Sequence, residues 1–196
     1  MIKVGIIGDI GSGKSYVSKL FNCPIFNADI EVAKIYKKNR KCFNLLKKKL
    51  PKYISSFPIK KKQLGKAILN NQRNLNKINK IVHPIVRYRL NVFFKKNKKK
   101  NMVILDIPLL LENKINNKKC ILVFVDAQKK DIQKRLKKRA NYNPKIFRKL
   151  KKIQLPLEIK RKKSNYIIKN NFKSLYIKKN VKLLKNKILN NERNST

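Results

Sequence analysis

Gly8-Asp9-Ile10-Gly11-Ser12-Gly13-Lys14-Ser15 satisfies the pattern GxxxxGK[ST], and the chemistry that spacing suits is the holding of a polyphosphate. The glycines let the backbone turn so that successive N–H groups face one anion, and a following helix N-terminus adds a favourable dipole. Lys14 would reach the β- and γ-phosphates of a nucleotide such as ATP, and the Ser15 hydroxyl would be a ligand of Mg²⁺. The flanks are right as well: residues 2–7 are an apolar run that reads as a buried parallel strand, and residues 14–20 read as a helix. The competing reading, a glycine-rich turn that matches by accident, lacks a reason for both flanks.

Carboxylates are the second chemical resource, and this chain uses few. It carries 9 Asp+Glu against 53 Lys+Arg, with none between Glu31 and Asp106. Asp9, Asp29, Glu31, Asp106, Glu112 and Asp126 each fall at or a few residues beyond the end of an expected strand, which in an α/β sheet is where ligands bind. Asp106 is placed like the acid that orients magnesium directly or through water; the alternative is a strand-end capping residue. A phosphate loop alone leaves GTPase, motor ATPase and small-molecule kinase open. No NKxD-type guanine site is evident, and the length is short for a motor, so a small kinase is the best class.

The elements that must position these residues follow from the apolar pattern. Strands are expected at 2–7, 24–27, 102–107, 120–125 and 166–168. Helices are expected at 14–20, from Asp29 through Val32, Ile35 and Tyr36, at 128–139, from 144 to about 163, and at 174–189, with residues 190–196 frayed. Between about 40 and 100 the texture is helical and Lys-rich, broken by Pro51, Pro58 and Pro84, and reads as a helical insertion over one edge of the sheet. The fold class expected is therefore α/β: a P-loop NTPase-type, doubly wound parallel sheet of about five strands. It forms one kinase domain over 1–196, with a helical insertion at 30–100 and a helical lid at 127–155.

Several of these residues together resemble the dephospho-CoA kinase family. The segment from Val4 to Ser15 is similar to that family's strand and phosphate loop, Asn27-Ala28-Asp29 to its Asp-Ala-Asp motif, and His83-Pro84 to its His-Pro motif. Asp106-Ile107-Pro108-Leu109-Leu110-Leu111-Glu112 resembles its Pro-Leu-Leu-Phe-Glu segment, and Arg135-Leu136-Lys137-Lys138-Arg139 its paired lid arginines. Gln154, Pro156, Lys160 and Tyr166-Ile167-Ile168-Lys169-Asn170 continue the match. There are departures. Asn27 stands for the first acid of the Asp-Ala-Asp motif, and Asp9 occupies a loop position that is often small. Leu111 stands where Phe is common, Ala140 for an aspartate, and Ser164-Asn165 for an Ala-Asp pair.

The resemblance implies transfer of the γ-phosphoryl group of ATP to the ribose 3′-hydroxyl of dephospho-CoA, with Mg²⁺. It implies Asp29, Lys14 and Arg139 as catalytic, and Gly8, Asp9, Ile10, Gly11, Ser12, Gly13, Lys14, Ser15 and Arg135 as nucleotide-binding. His83, Pro108, Leu109 and Leu110 fall to the acceptor, and Ser15 and Asp106 to the metal. For Arg135 and Arg139 the bland alternative is a solvated face of a very basic helix; for His83, an anchor of the fold; for Asp29, a cap on a helix starting at Ile30. Glu112 reads as structural.

The net charge of +44 points on its face to a nucleic-acid partner. The lysines are spread along the chain, however, and accompany an excess of Asn and Ile, the residues that AT-rich codons favour. Compositional drift accounts for this without a polyanion. Cys23, Cys42 and Cys120 are odd in number and outside any CxxC, which indicates neither a disulfide framework nor zinc. No apolar run approaches a membrane span, and the chain opens on a strand without a signal-peptide pattern, so a cytoplasmic monomer with no specific nucleic-acid partner and no membrane contact is expected. The alternatives are another nucleoside or nucleotide kinase, or a basic nucleic-acid-binding protein with a vestigial phosphate loop. If drift explains the lysines, duplex DNA binding is weak and sequence-independent and is largely gone at physiological salt in a fluorescence-anisotropy titration; tight, sequence-selective binding there would restore the nucleic-acid reading.

Overall fold

A computed structural model describes residues 1–112, 120–138 and 142–193. Five parallel strands form one sheet in the order β2-β3-β1-β4-β5. They are β1 (Ile2–Gly8), β2 (Ile25–Asn27), β3 (Met102–Asp106), β4 (Cys120–Asp126) and β5 (Tyr166–Lys169). The β-branched and aliphatic runs suit a sheet buried on both faces, where alternation gives way to continuous apolar sequence. All five residues of β3 are buried. The chain divides into two compact units, one of residues 1–27, 97–142 and 151–196, the other of 28–96 and 143–150.

In the first unit, successive residues of β1 face opposite sides of the sheet. Val4 and Ile6 enter a cluster with Val17 and Phe21 of α1 (Lys14–Leu20) and Ile177, Val181 and Ile188 of α9 (Ser174–Arg193). On the other side, Leu110 lies so close to Gly5 that an added Cβ would meet it at 2.5 Å. Helices α6 (Lys129–Lys137) and α8 (Leu157–Lys162) complete the covering elements. The central β1 lies between β3 and β4. The chain leaves β1 toward β2 on one side, whereas it leaves β4 toward β5 on the other, and the carboxyl ends of β1 and β4 flank the crevice at which doubly wound sheets bind ligands.

The second unit holds α2 (Ala28–Lys38), α3 (Arg40–Lys49), α4 (Lys61–Asn70), α5 (Gln72–Lys96) and most of α7 (Pro144–Lys152). Its backbone is α5, whose Leu75, Ile78, Val82, Val86 and Leu90 are buried at helical spacing. Asn39 caps α3 by accepting from the Cys42 N–H at 2.8 Å, and Lys149 donates to the carbonyls of Ile68 and Leu69 at the end of α4. A cation on the last carbonyls of a helix satisfies acceptors that have no partner within it.

Four expectations need correction. Pro84 does not break a helix; it sits inside α5, because the buried stripe continues on both sides of it and outweighs one lost backbone bond. The helix expected from 144 to 163 is two, α7 and α8, divided ahead of Pro156, which disfavours helical geometry in the residue before it. The terminal helix does not fray at 190 but runs to Arg193. Finally, β2 passes into α2 without a loop, so Asp29 is not a cap before Ile30. It lies in the first turn of α2, where a carboxylate is favoured by the helix dipole.

Candidate active site

The phosphate loop is shaped by conformations that side chains other than hydrogen resist. Gly11 and Gly13 have φ of 88° and 90°, the left-handed region, and the amide of Asn170 stands where a Gly13 Cβ would be. Gly13 is also the residue from which α1 starts. Asn170, at the end of β5 and buried, donates through Nδ2 to the Ser12 carbonyl at 2.7 Å, while its own N–H bonds the Asp126 carbonyl at 2.6 Å. The loop is thereby tied to the ends of β4 and β5. Leu136 and Ile132 of α6 pack beneath Gly11.

Charge in the loop is concentrated on Asp9 and Lys14. The Asp9 side chain is nearly buried; Oδ1 accepts the Ile10 N–H at 2.7 Å and Oδ2 pairs with Lys151 Nζ at 3.5 Å. Lys14 Nζ donates to the Asp9 carbonyl at 2.7 Å and, at 3.4 Å, to that of Gly8. Ser15 is exposed at the first turn of α1. The Ser12 hydroxyl is the one buried side-chain polar atom without a hydrogen-bond partner among the described residues. An orphaned hydroxyl among the glycines of this loop fits a loop completed by an anion.

Beside the loop, Asp106 ends β3 one step past the Gly5–Leu105 register pair. Its Oδ2 accepts from Asn27 Nδ2 at 2.6 Å. Among the described residues no three His, Cys, Asp or Glu side chains gather into a metal cage. The oxygen donors Ser15 and Asp106 instead fit a hard cation that keeps most of its waters and leans on phosphates, as Mg²⁺ does. Pro108 is exposed, Leu109 adopts φ 58°, and Leu110 is buried against β1. Arg135 is exposed, its guanidinium 4.5 Å above the Phe172 ring. Stacking on a ring face holds the fork while its in-plane N–H donors point outward.

Of the residues singled out from the sequence, the loop Gly8 to Ser15, Asp106, Pro108, Leu109, Leu110 and Arg135 belong to the first unit, while Asp29 and His83 belong to the second. His83 is half-buried on α5, and burial followed by the neighbouring Arg87 charge pushes its pKa below the ordinary value. Arg139, and the departure at Ala140, lie outside the described residues. Asn170, Phe172 and Lys151 were not singled out for a role. Asn and Lys abound in this chain, so neither type stands out; only the place of Asn170 at the end of β5 was a usable signal.

Buried Lys160 and partly buried Glu112 form an ion pair at 2.8 Å, and Glu112 also accepts the Leu155 N–H at 2.9 Å. Burial alone would push the Glu112 carboxyl up; the bonds from Lys160 and from backbone N–H groups outweigh it and hold it below the usual carboxylate range. The pair joins the segment after β3 to α8.

The sheet order, the glycine loop opening α1 and the acid ending β3 define a P-loop kinase. The sequence profile of the dephospho-CoA kinase family matches residues 2–175, and the chain belongs to that family of phosphotransferases. It is 31% identical over 173 residues to a dephospho-CoA kinase of Zymomonas mobilis, covering 87% of this chain and 88% of that one. It is likewise 31% identical over 184 residues to one of Wolbachia pipientis wMel, covering 91% and 94%. Among solved structures, TT1252 from Thermus thermophilus superposes with a TM-score of 0.74 at 26% identity, covering 91% and 92%. A dephospho-CoA kinase from Campylobacter jejuni, at 20% identity, shares the fold with a TM-score of 0.65 over 95% and 96% of the two chains. Among the described residues no helix is long and apolar enough to cross a membrane.

Because the folded-state pKa of Glu112 is depressed, its contribution is present at neutral pH and is lost as pH falls through that lowered value. Glu112→Gln strands the Lys160 charge and costs about 3 kcal/mol at pH 7. The difference from wild type shrinks in urea melts as the pH falls through that lowered value and wild-type Glu112 is itself protonated.

Proposed function

We propose that this protein transfers the γ-phosphoryl group of ATP to the ribose 3′-hydroxyl of dephospho-CoA, giving coenzyme A. The observation that carries the reading is the glycine loop held open by Asn170 at the carboxyl end of β1, in a chain of this family. Phosphoryl transfer asks little covalent chemistry of a protein; it asks for alignment and for positive charge where negative charge moves. The N–H groups of the loop and of the first turn of α1 hold the β- and γ-phosphates. Lys14 exchanges its bonds to the Asp9 and Gly8 carbonyls for phosphate oxygens, and Arg135, with Arg139, offers guanidinium forks to the same charge.

Ser15 and Asp106 would hold Mg²⁺, which when bound neutralises phosphate charge and keeps the chain in line. Asp29 accepts the proton of the attacking 3′-hydroxyl or orients it. Asn27 takes no proton at neutral pH, so this work falls to Asp29 within the motif. His83 and the backbone at Pro108, Leu109 and Leu110 line the acceptor's place, residues 30–100 supply the acceptor-binding helices, and 127–155 close over the reactants to exclude water. The protein acts as a monomer in the cytoplasm.

Two substitutions test the assignment in a coupled assay with ATP and dephospho-CoA. Lys14→Ala keeps the fold by circular dichroism and loses nearly all turnover. Asp29→Asn keeps ATP affinity and gives up at most the small dipole contribution of a first-turn carboxylate, yet cuts turnover roughly a hundredfold or more. Ordinary turnover in Asp29→Asn would move the base elsewhere.

A further inference from the structure

We propose that Asn27 is a positioning residue for the carboxylate of Asp106, an inference that rests on the assignment of Asp106 to the metal made above. Strands β2 and β3 run parallel, and their register sets Asn27 directly beside Asp106 at the carboxyl edge of the sheet. There the Asn27 amide donates to Asp106 Oδ2 at 2.6 Å, a short contact for an N–H donor. Asp106 is only 4% exposed, so water is a poor substitute for that donor. One oxygen is therefore anchored and the carboxylate plane is set, which fixes the direction in which the other oxygen meets a ligand.

An acid at position 27 cannot do this. Two carboxylates with oxygens at that separation repel unless a proton or cation lies between them. The family pattern has an acid here; this chain has an amide. The departure thus exchanges a like-charge pair for a donor and an acceptor, and it leaves the negative charge on Asp106 alone. Carboxylates that bind metals depend on such hydrogen-bond partners, whose loss typically weakens metal affinity 10–100-fold.

The test reads metal binding without turnover. Mn²⁺ is titrated into the full chain carrying ADP, and free Mn²⁺ is followed by electron paramagnetic resonance. Asn27→Ala removes the donor, Asn27→Leu removes it while keeping the volume, and Asp106→Asn is the reference. Position 27 ends an edge strand and is partly exposed, so the variants fold, which unchanged ADP binding in chelator verifies. Both Asn27 variants are expected to weaken Mn²⁺ binding about tenfold or more. If Asp106→Asn weakens the metal and neither Asn27 variant does, the positioning role is overturned and the role of Asp106 stands. If Asp106→Asn leaves Mn²⁺ affinity unchanged, the metal assignment fails and this inference falls with it.

Discussion

A buried run of peptide groups must turn inward on itself between β1 and α1, and Asn170 is what holds it there. Its side chain bonds the Ser12 carbonyl, its N–H bonds the Asp126 carbonyl, and its Oδ1 accepts the Phe172 N–H at 2.9 Å. One residue thereby links the phosphate loop to the ends of two strands and to the ring on which Arg135 stacks. The contact is close enough to exclude any side chain at Gly13. Sheet order, helix start and arginine placement all meet at this point, and a backbone arranged in advance for an anion needs little reorganisation when the anion arrives.

The second constraint is electrostatic. A chain with a net charge of +44 has few carboxylates to spend, and three of those in the first unit are paired with cations. Asp9 pairs with Lys151, Glu112 with Lys160 and Asp126 with Arg161. Asp106 differs, being held by a neutral amide and not by a cation. A cation there would compete with a metal for the same oxygens; an amide only orients them.

Much of this was legible in the sequence, for physical reasons that differ by residue. The phosphate loop announces itself because its backbone favours glycine at two left-handed positions, and a glycine-poor chain makes those glycines conspicuous. The strands are legible because burial on both faces demands unbroken apolar runs. Pro84 misled, since a proline reads as a break unless the burial of Val82, Val86 and Leu90 on either side is weighed against it. The pairing of Asn27 with Asp106 was hidden because it depends on sheet register across 79 positions of sequence, which no local pattern records. The Glu112–Lys160 pair was hidden for the same reason, with Lys160 lost among a large excess of lysines.

The account's central claim is about where one phosphoryl group goes. The purified chain, incubated with ATP, Mg²⁺ and dephospho-CoA, is followed by phosphorus NMR and mass spectrometry of the products. Adenosine, nucleoside monophosphates and shikimate are supplied in parallel as other acceptors. The account predicts a new phosphomonoester on the ribose 3′-oxygen of dephospho-CoA, one ADP per coenzyme A, and little transfer to the rest. Preferential phosphorylation of one of the other acceptors, or ATP hydrolysis with dephospho-CoA left unchanged, would contradict it.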